Sequence, residues 1–201
     1  MNKSFFTLLT LAVVLLTVSC KVEDDPTIDN PNVISQQTDT TLRSFYLKPS
    51  PSATFESIYS YNFTVVNCSF DIDLYWYDPV ETHGVYLHFS NSVGDVLTDA
   101  AGFIKAFDSG VNIDSTLAGS WSGGTDGIFA FDYVSNPSAD KGNLAGMGDK
   151  YVVFRAFSSA EPSLKYYGWM RVRVSENGRS VSVISIGYQK DANTGLRTGE
   201  L

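Results

Sequence analysis

The chain has 201 residues, enough for one well-buried domain and short for two. Apolar residues make up 43% and charged ones only 18%, and 22 acidic against 14 basic residues leave a formal charge of -8. That balance argues against a binder of nucleic-acid backbones, whose affinity rests on Lys and Arg, and the abundance of Tyr, Phe and Gly argues against helical bundles and coiled coils.

At the N-terminus, Lys3 precedes an apolar run from Phe5 to Val18 that only threonines interrupt. A membrane-spanning helix needs about 20 such residues, so the run fits the core of a signal peptide better than an anchor. It closes on Thr17-Val18-Ser19 and then Cys20. These residues resemble the lipobox of bacterial lipoproteins, although Thr17 stands where that pattern prefers leucine. The resemblance implies a signal peptide over residues 1–19, a diacylglycerol thioether on Cys20 and attachment to the outer membrane. An ordinary secretory signal beside an incidental cysteine is the alternative. The following Lys21-Val22-Glu23-Asp24-Asp25-Pro26 resembles the acidic export signal of Bacteroidota surface lipoproteins, which implies surface display. Charges that only solvate a linker would look the same.

The one other cysteine, Cys68, sits in the apolar stretch Phe63 to Phe70 and reads as a small buried hydrophobe, so no disulfide is expected. From Lys21 to Thr41 no aromatic residue occurs, and Asp, Glu, Pro, Thr, Asn and Gln dominate. Such a stretch buries too little apolar surface to offset its ordering entropy. Residues 20–41 therefore read as a flexible acidic tether with a reach of about 25 Å, and residues 42–201 as a single domain. Asp39-Thr40-Thr41 and Asp114-Ser115-Thr116 resemble the short O-glycosylation motif of the same bacteria.

Beyond Leu42 the pattern is one of strands. Ser57–Asn67, Phe70–Tyr77, Gly84–Ser90, Gly127–Val134 and Lys150–Phe157 are separated by clusters of Gly, Pro, Asn and Asp. Short strands with this punctuation predict an all-β fold, an antiparallel β-sandwich of jelly-roll-like type. Val96, Leu97, Ala100, Ala101, Ile104 and Phe107 recur at helical spacing, so a short helix is the competing reading there. Asn177-Gly178 between Tyr166–Glu176 and Arg179–Tyr188 is a two-residue hairpin signal. A uniform register about it pairs Val174 with Val181 and Val172 with Val183. The other face then carries Arg171 with Ile184, Trp169 with Ile186 and Tyr167 with Tyr188. Both faces are substantially apolar, which predicts a hairpin covered, at least in part, on both sides.

The C-terminal half adds a resemblance. Phe107-Asp-Ser-Gly110 with Ile113, Lys150-Tyr-Val-Val-Phe-Arg155, Tyr167-Gly-Trp-Met-Arg-Val-Arg-Val174, Val183-Ile-Ser-Ile-Gly-Tyr188 and Gly195 through Glu200 form the set. They resemble the β-rich ending of secreted bacterial proteins, many of which carry PEP-CTERM sorting tails. Gln189 stands where that ending often has Glu. The resemblance implies a β-sandwich and brings no catalytic residues.

Motifs of enzymatic chemistry mostly fail on spacing. His83 and His88 are five apart, so on a strand they point to opposite faces and make no metal pair. Gly119-Ser-Trp-Ser-Gly-Gly124 approaches a hydrolase elbow, but Ser120 stands two places before Ser122 where that motif needs Gly. Asp71, Asp73 and Asp78 could offer oxygens to calcium, but Leu, Tyr and Trp intervene where a calcium loop wants glycine. No cofactor and no metal are expected.

One constellation stands out. In Phe70–Tyr77, alternation sets Phe70, Ile72, Leu74 and Trp76 against Asp71, Asp73, Tyr75 and Tyr77; in the next strand Tyr86 and His88 alternate with Val85, Leu87 and Phe89. If the strands pair through Pro79–His83, the six polar and aromatic residues share a face that suits glycans: tyrosine rings stack on sugars and carboxylates accept from hydroxyls. Tyrosines also suit the solvent side of any strand. Three readings follow: a surface-anchored binding or adhesion module, with an extracellular glycan or envelope protein as partner; a structural envelope or fimbria-associated subunit; and a glycan hydrolase working through paired carboxylates.

Overall fold

The computed structural model describes residues 30–43, 54–63, 68–77, 82–89, 93–122, 127–133, 142–177 and 180–201. The signal run, Cys20 and the acidic segment to Asp29 lie outside the described residues, as do Asp78, Gly124 and Gly178. Among the described residues the fold is all-β, and no helix is long and apolar enough to cross a membrane. The strands are β1 (Val33–Arg43), β2 (Thr54–Phe63), β3 (Cys68–Tyr77), β4 (Thr82–Phe89), β5 (Gly94–Thr98) and β6 (Asn112–Ile113). They continue with β7 (Ser120–Trp121), β8 (Gly127–Tyr133), β9 (Asp149–Phe157), β10 (Lys165–Val174), β11 (Ser180–Gln189) and β12 (Leu196–Arg197). All sheets are antiparallel: six strands in the order β1-β11-β10-β9-β5-β7, four in the order β2-β3-β4-β8, and the pair β12-β6.

The alternation of apolar residues decides what each sheet covers. Phe70 and Ile72 of β3 and Val85, Leu87 and Phe89 of β4 point inward from the four-stranded sheet. They share one core with Val152, Phe154, Met170, Val172, Val183 and Tyr188 of the six-stranded sheet. Phe70, Phe89 and Phe154 meet there with ring centroids 5.9–6.2 Å apart. The opposite face of the six-stranded sheet is also buried. Tyr151, Val153, Tyr167 and Trp169 lie in a second cluster beneath Ile113 of β6 and Leu196 of β12. The expected two-sided cover of the hairpin is present in part: the second cluster takes in Tyr167 and Trp169 of β10, whereas Arg173 is exposed and Ser182 and Ile184 are half-buried.

Glycines make the close strand contacts possible. Gly168 is the Cα partner of Phe154, and a Cβ on it would fall 2.4 Å from that ring; Gly187 is the partner of Trp169, and its Cβ would fall 2.5 Å from the indole. Each aromatic lies over the glycine beside it, one on each face, so Tyr167-Gly-Trp and Ile186-Gly-Tyr188 are complementary halves of one packing arrangement. The C-terminal segment is tied down by side chains as well as backbone. Thr198, 1% exposed, donates from Oγ1 to the Asp108 carbonyl at 2.7 Å and accepts from the Val111 amide at 2.9 Å.

Three expectations are corrected. Residues 33–41, read as tether, belong to β1, an edge strand paired with β11. Ordering there comes from a backbone ladder and from Thr38 Oγ1 donating to the Val183 carbonyl at 2.6 Å, which composition does not register. The segment with helical spacing is strand β5 followed by a turn. Asp99 Oδ1 accepts from the amides of Ala101 and Phe103 at 2.9 and 3.0 Å, and Gly102 takes φ 87°, so an Asx-type turn ends the strand. The hairpin register holds for Val174 with Val181 and Val172 with Val183, then slips by one residue. Beyond that bulge Arg171 meets Ser185, Met170 meets Ile186 and Trp169 meets Gly187, so the expected pairs of Arg171, Trp169 and Tyr167 do not form.

Candidate functional site

The outward face of the four-stranded sheet brings together four of the residues singled out above, Asp71, Asp73, Tyr86 and His88. In the β3–β4 ladder Asp71 lies opposite His88 and Asp73 opposite Tyr86, and the register continues with Tyr75 opposite Gly84 and Tyr77 opposite Thr82. Asp71, Asp73, Tyr86 and His88 are half-buried, whereas Phe70, Ile72, Val85, Leu87 and Phe89 are buried. The side chains of Tyr75, Tyr77, His83 and Cys68 lie outside the described residues. Facing residues of such a ladder stand about 5 Å apart at Cβ, and Asp71 and Asp73 are separated along the strand by about 7 Å. Two carboxylates, an imidazole and a phenol thus form a compact quadrilateral on a rigid sheet.

Ser60 of β2, the Cα partner of Asp71, donates from Oγ to Asp71 Oδ1 at 2.5 Å, extending the polar row across a third strand. Asp71, Asp73, Tyr86 and His88 each engage further neighbours, so the row is built into its surroundings. The row can accept hydrogen bonds at its carboxylates and offer aromatic surface beside them. Among the described residues no three of His, Cys, Asp and Glu lie close enough together to hold a metal ion. His83 is opposite Trp76 and His88 opposite Asp71, positions of opposite parity on β4.

The other motifs serve the fold. Ser120 and Trp121 form β7, and Ser122 Oγ accepts from the Val96 amide at 3.2 Å, which extends the β5 edge. Asp114 accepts from the Thr116 hydroxyl at 2.6 Å and from its amide at 2.7 Å. These bonds hold its carboxyl below the usual range, and they leave Ser115 and Thr116 exposed in a turn.

Two features escaped sequence reading. A groove of about 250 Å³ between β6 and β12 is lined by Asn112, Ile113, Asp114, Gly195, Leu196, Arg197 and Glu200. Its polar groups are tied up: Arg197 Nε donates to Asn112 Oδ1 at 3.1 Å, and Glu200 accepts from the Arg197 amide at 2.6 Å and from Asn30 Nδ2 at 2.8 Å. The second is a part-buried ion pair, Arg155 with the buried Asp95 at 2.6 Å. Its signal was available: Arg155 follows Tyr151 and Val153 on an otherwise apolar strand face, and a charge there needs a partner.

No protein-family model matches the chain, and no match to it was found among curated proteins or solved structures.

Proposed function

We propose that the chain is an outer-membrane lipoprotein whose single domain, a β-sandwich, is a binding module for extracellular glycans. Lys3, the apolar run and Cys20 support the anchoring half of this reading. Two or three acyl chains, at about 0.8 kcal/mol per buried methylene, hold a soluble domain stably at a bilayer. The sandwich reading draws on the core shared by inward residues of the four- and six-stranded sheets.

The observation that carries the binding half is the pairing of Asp71 with His88 and of Asp73 with Tyr86 on the face opposite the core. Sugars are recognised by aromatic faces beside hydrogen-bond acceptors, held on rigid elements. The test is a glycan array probed with the wild-type chain and with a Tyr75→Ala/Tyr77→Ala variant and an Asp71→Asn/Asp73→Asn variant. Selective binding that either variant reduces at least tenfold supports the reading. Binding that both variants leave unchanged removes this face from the account.

A further inference from the structure

The second face of the six-stranded sheet carries a different group of side chains at the end where β9 and β10 begin to part. Asp95, Arg155 and Tyr167 are successive Cα partners across β5, β9 and β10, and Phe157 and Lys165 form the next pair on the same face, two residues along. Arg155 Nε donates to Asp95 Oδ2 at 2.6 Å, with the carboxylate 3% and the arginine 23% exposed. The half-buried Trp121 packs on the guanidinium, its ring centroid 4.5 Å from Cζ, and lies 6.3 Å from the ring of Tyr167. Lys165 Nζ sits 3.5 Å from the centroid of Phe157.

Arg155 is thus fixed by one of its three nitrogens. Among the described residues its two terminal nitrogens donate to no protein acceptor, and neither is buried out of reach of solvent. Lys165 is a diagonal neighbour of Arg155 across the ladder, and among the described residues no carboxylate is bonded to its amine. Burial, then the charge of Arg155, lower its pKa, and the charge of Asp95 offsets this only in part. Two cations therefore share one carboxylate in a chain of net charge -8. A guanidinium held on one edge presents a planar donor pair that matches a carboxylate, and its fixed geometry leaves little rotamer entropy to lose on binding.

We propose that Arg155 and Lys165 form a binding site for the carboxylate of an acidic saccharide, a uronate-type sugar whose ring lies against Trp121. The two cations hold the carboxylate between them, and the half-buried rings of Trp121 and Phe157, each with a cation over one face, offer their remaining apolar surface to the C–H groups of the sugar. This site stands apart from the Asp71–His88 face, whose carboxylates repel such a ligand, and it does not depend on the reading of that face.

The experiment is calorimetric titration of the full chain, in a neutral detergent, with glucuronate, glucose and triglutamate. The variants are Lys165→Gln, which removes a half-buried amine without unpairing Asp95, and Arg155→Lys, which keeps that pairing but loses the fork. A thermal melt of each variant reports whether the fold is intact. The proposal expects saturable glucuronate binding, at least tenfold weaker binding of glucose, and at least a tenfold loss in Lys165→Gln. A wild-type chain that does not bind glucuronate overturns it, as does a Lys165→Gln variant that binds undiminished. Triglutamate binding tighter than glucuronate overturns the assignment to a sugar and makes the site one for acidic peptides.

Discussion

Gly168→Ala tests the packing that locks the central strands together. The added Cβ would lie 2.4 Å from Phe154 Cζ and 2.8 Å from the Gly187 carbonyl oxygen. Ordinary contact is about 3.5–4.0 Å, so the ring has to retreat by roughly 1 Å or more. It has little room, because Phe154 is fully buried with its centroid 6.0 Å from Phe70 and 6.2 Å from Phe89. The second obstacle is backbone within the sheet and yields even less. Overpacking usually costs about 1–3 kcal/mol, and these constraints put this case at the upper end, about 3 kcal/mol. The reduced chain entropy of the unfolded state returns at most about 1 kcal/mol. At roughly 2–4 °C per kcal/mol for a domain of this size, the Tm falls by about 4–12 °C. Urea denaturation followed by intrinsic fluorescence measures the change. Phe154→Leu removes the obstructing edge, so the double variant is expected to be more stable than the summed single effects by about 1 kcal/mol or more. A Gly168→Ala protein within about 0.5 kcal/mol of wild type, or strict additivity in the cycle, refutes the reasoning.

Asp95→Ala leaves the guanidinium of Arg155 partly buried and unpaired, and is expected to cost about 2–3 kcal/mol in urea denaturation, whereas replacing the exposed partner of the Lys150–Asp108 pair, Asp108→Ala, is expected to cost under about 1 kcal/mol. Burial opposes ionisation of Asp99, but hydrogen bonds from Asn143 and from the amides of Ala101, Phe103 and Gly102 outweigh it and hold the carboxyl below its ordinary value of 3.8. The lowered folded-state pKa means its stabilisation is fully present above the ordinary value and is lost as pH falls through the folded value. The gap in urea midpoint between wild type and Asp99→Asn should therefore be open at pH 6 and narrow steadily below pH 3.8. Cys20→Ser, which cannot form the thioether, is expected to abolish palmitate labelling and detergent-phase partitioning while the thermal melt of the domain is unchanged.

Strong alternation made much of the fold readable. The strands expected near Phe70–Tyr77, Gly84–Ser90, Lys150–Phe157 and about Asn177 correspond to β3, β4, β9, β10 and β11. In each, apolar residues at every second position face a core, and that periodicity is visible in sequence. The shared face of Asp71, Asp73, Tyr86 and His88 followed from the same parity, since a slip of one residue would have turned Phe70 and Ile72 outward. What stayed illegible depends on partners distant in the chain. β1 is polar from Ser35 to Thr41 and is ordered by pairing with β11, about 150 residues away. The bulge between Arg171 and Val172 has no local marker, although the Trp169–Gly187 pairing it creates explains both residues. β6 and β12 are two residues each and exist because Ile113 and Leu196 cover the second face. Arg155 and Asp95 lie 60 positions apart, and only the β5–β9 ladder brings them together.

The central claim is that the outward face of β2, β3 and β4 binds glycans, and amide chemical-shift mapping tests it most directly. The labelled full chain carrying Cys20→Ser would be titrated with the best neutral glycan from the array. Saturable shifts are expected at Ser60, Asp71, Asp73, Tyr86 and His88, with the amides of Arg155 and Lys165 unmoved. Shifts confined to other surfaces, or no shifts at millimolar glycan, would contradict it.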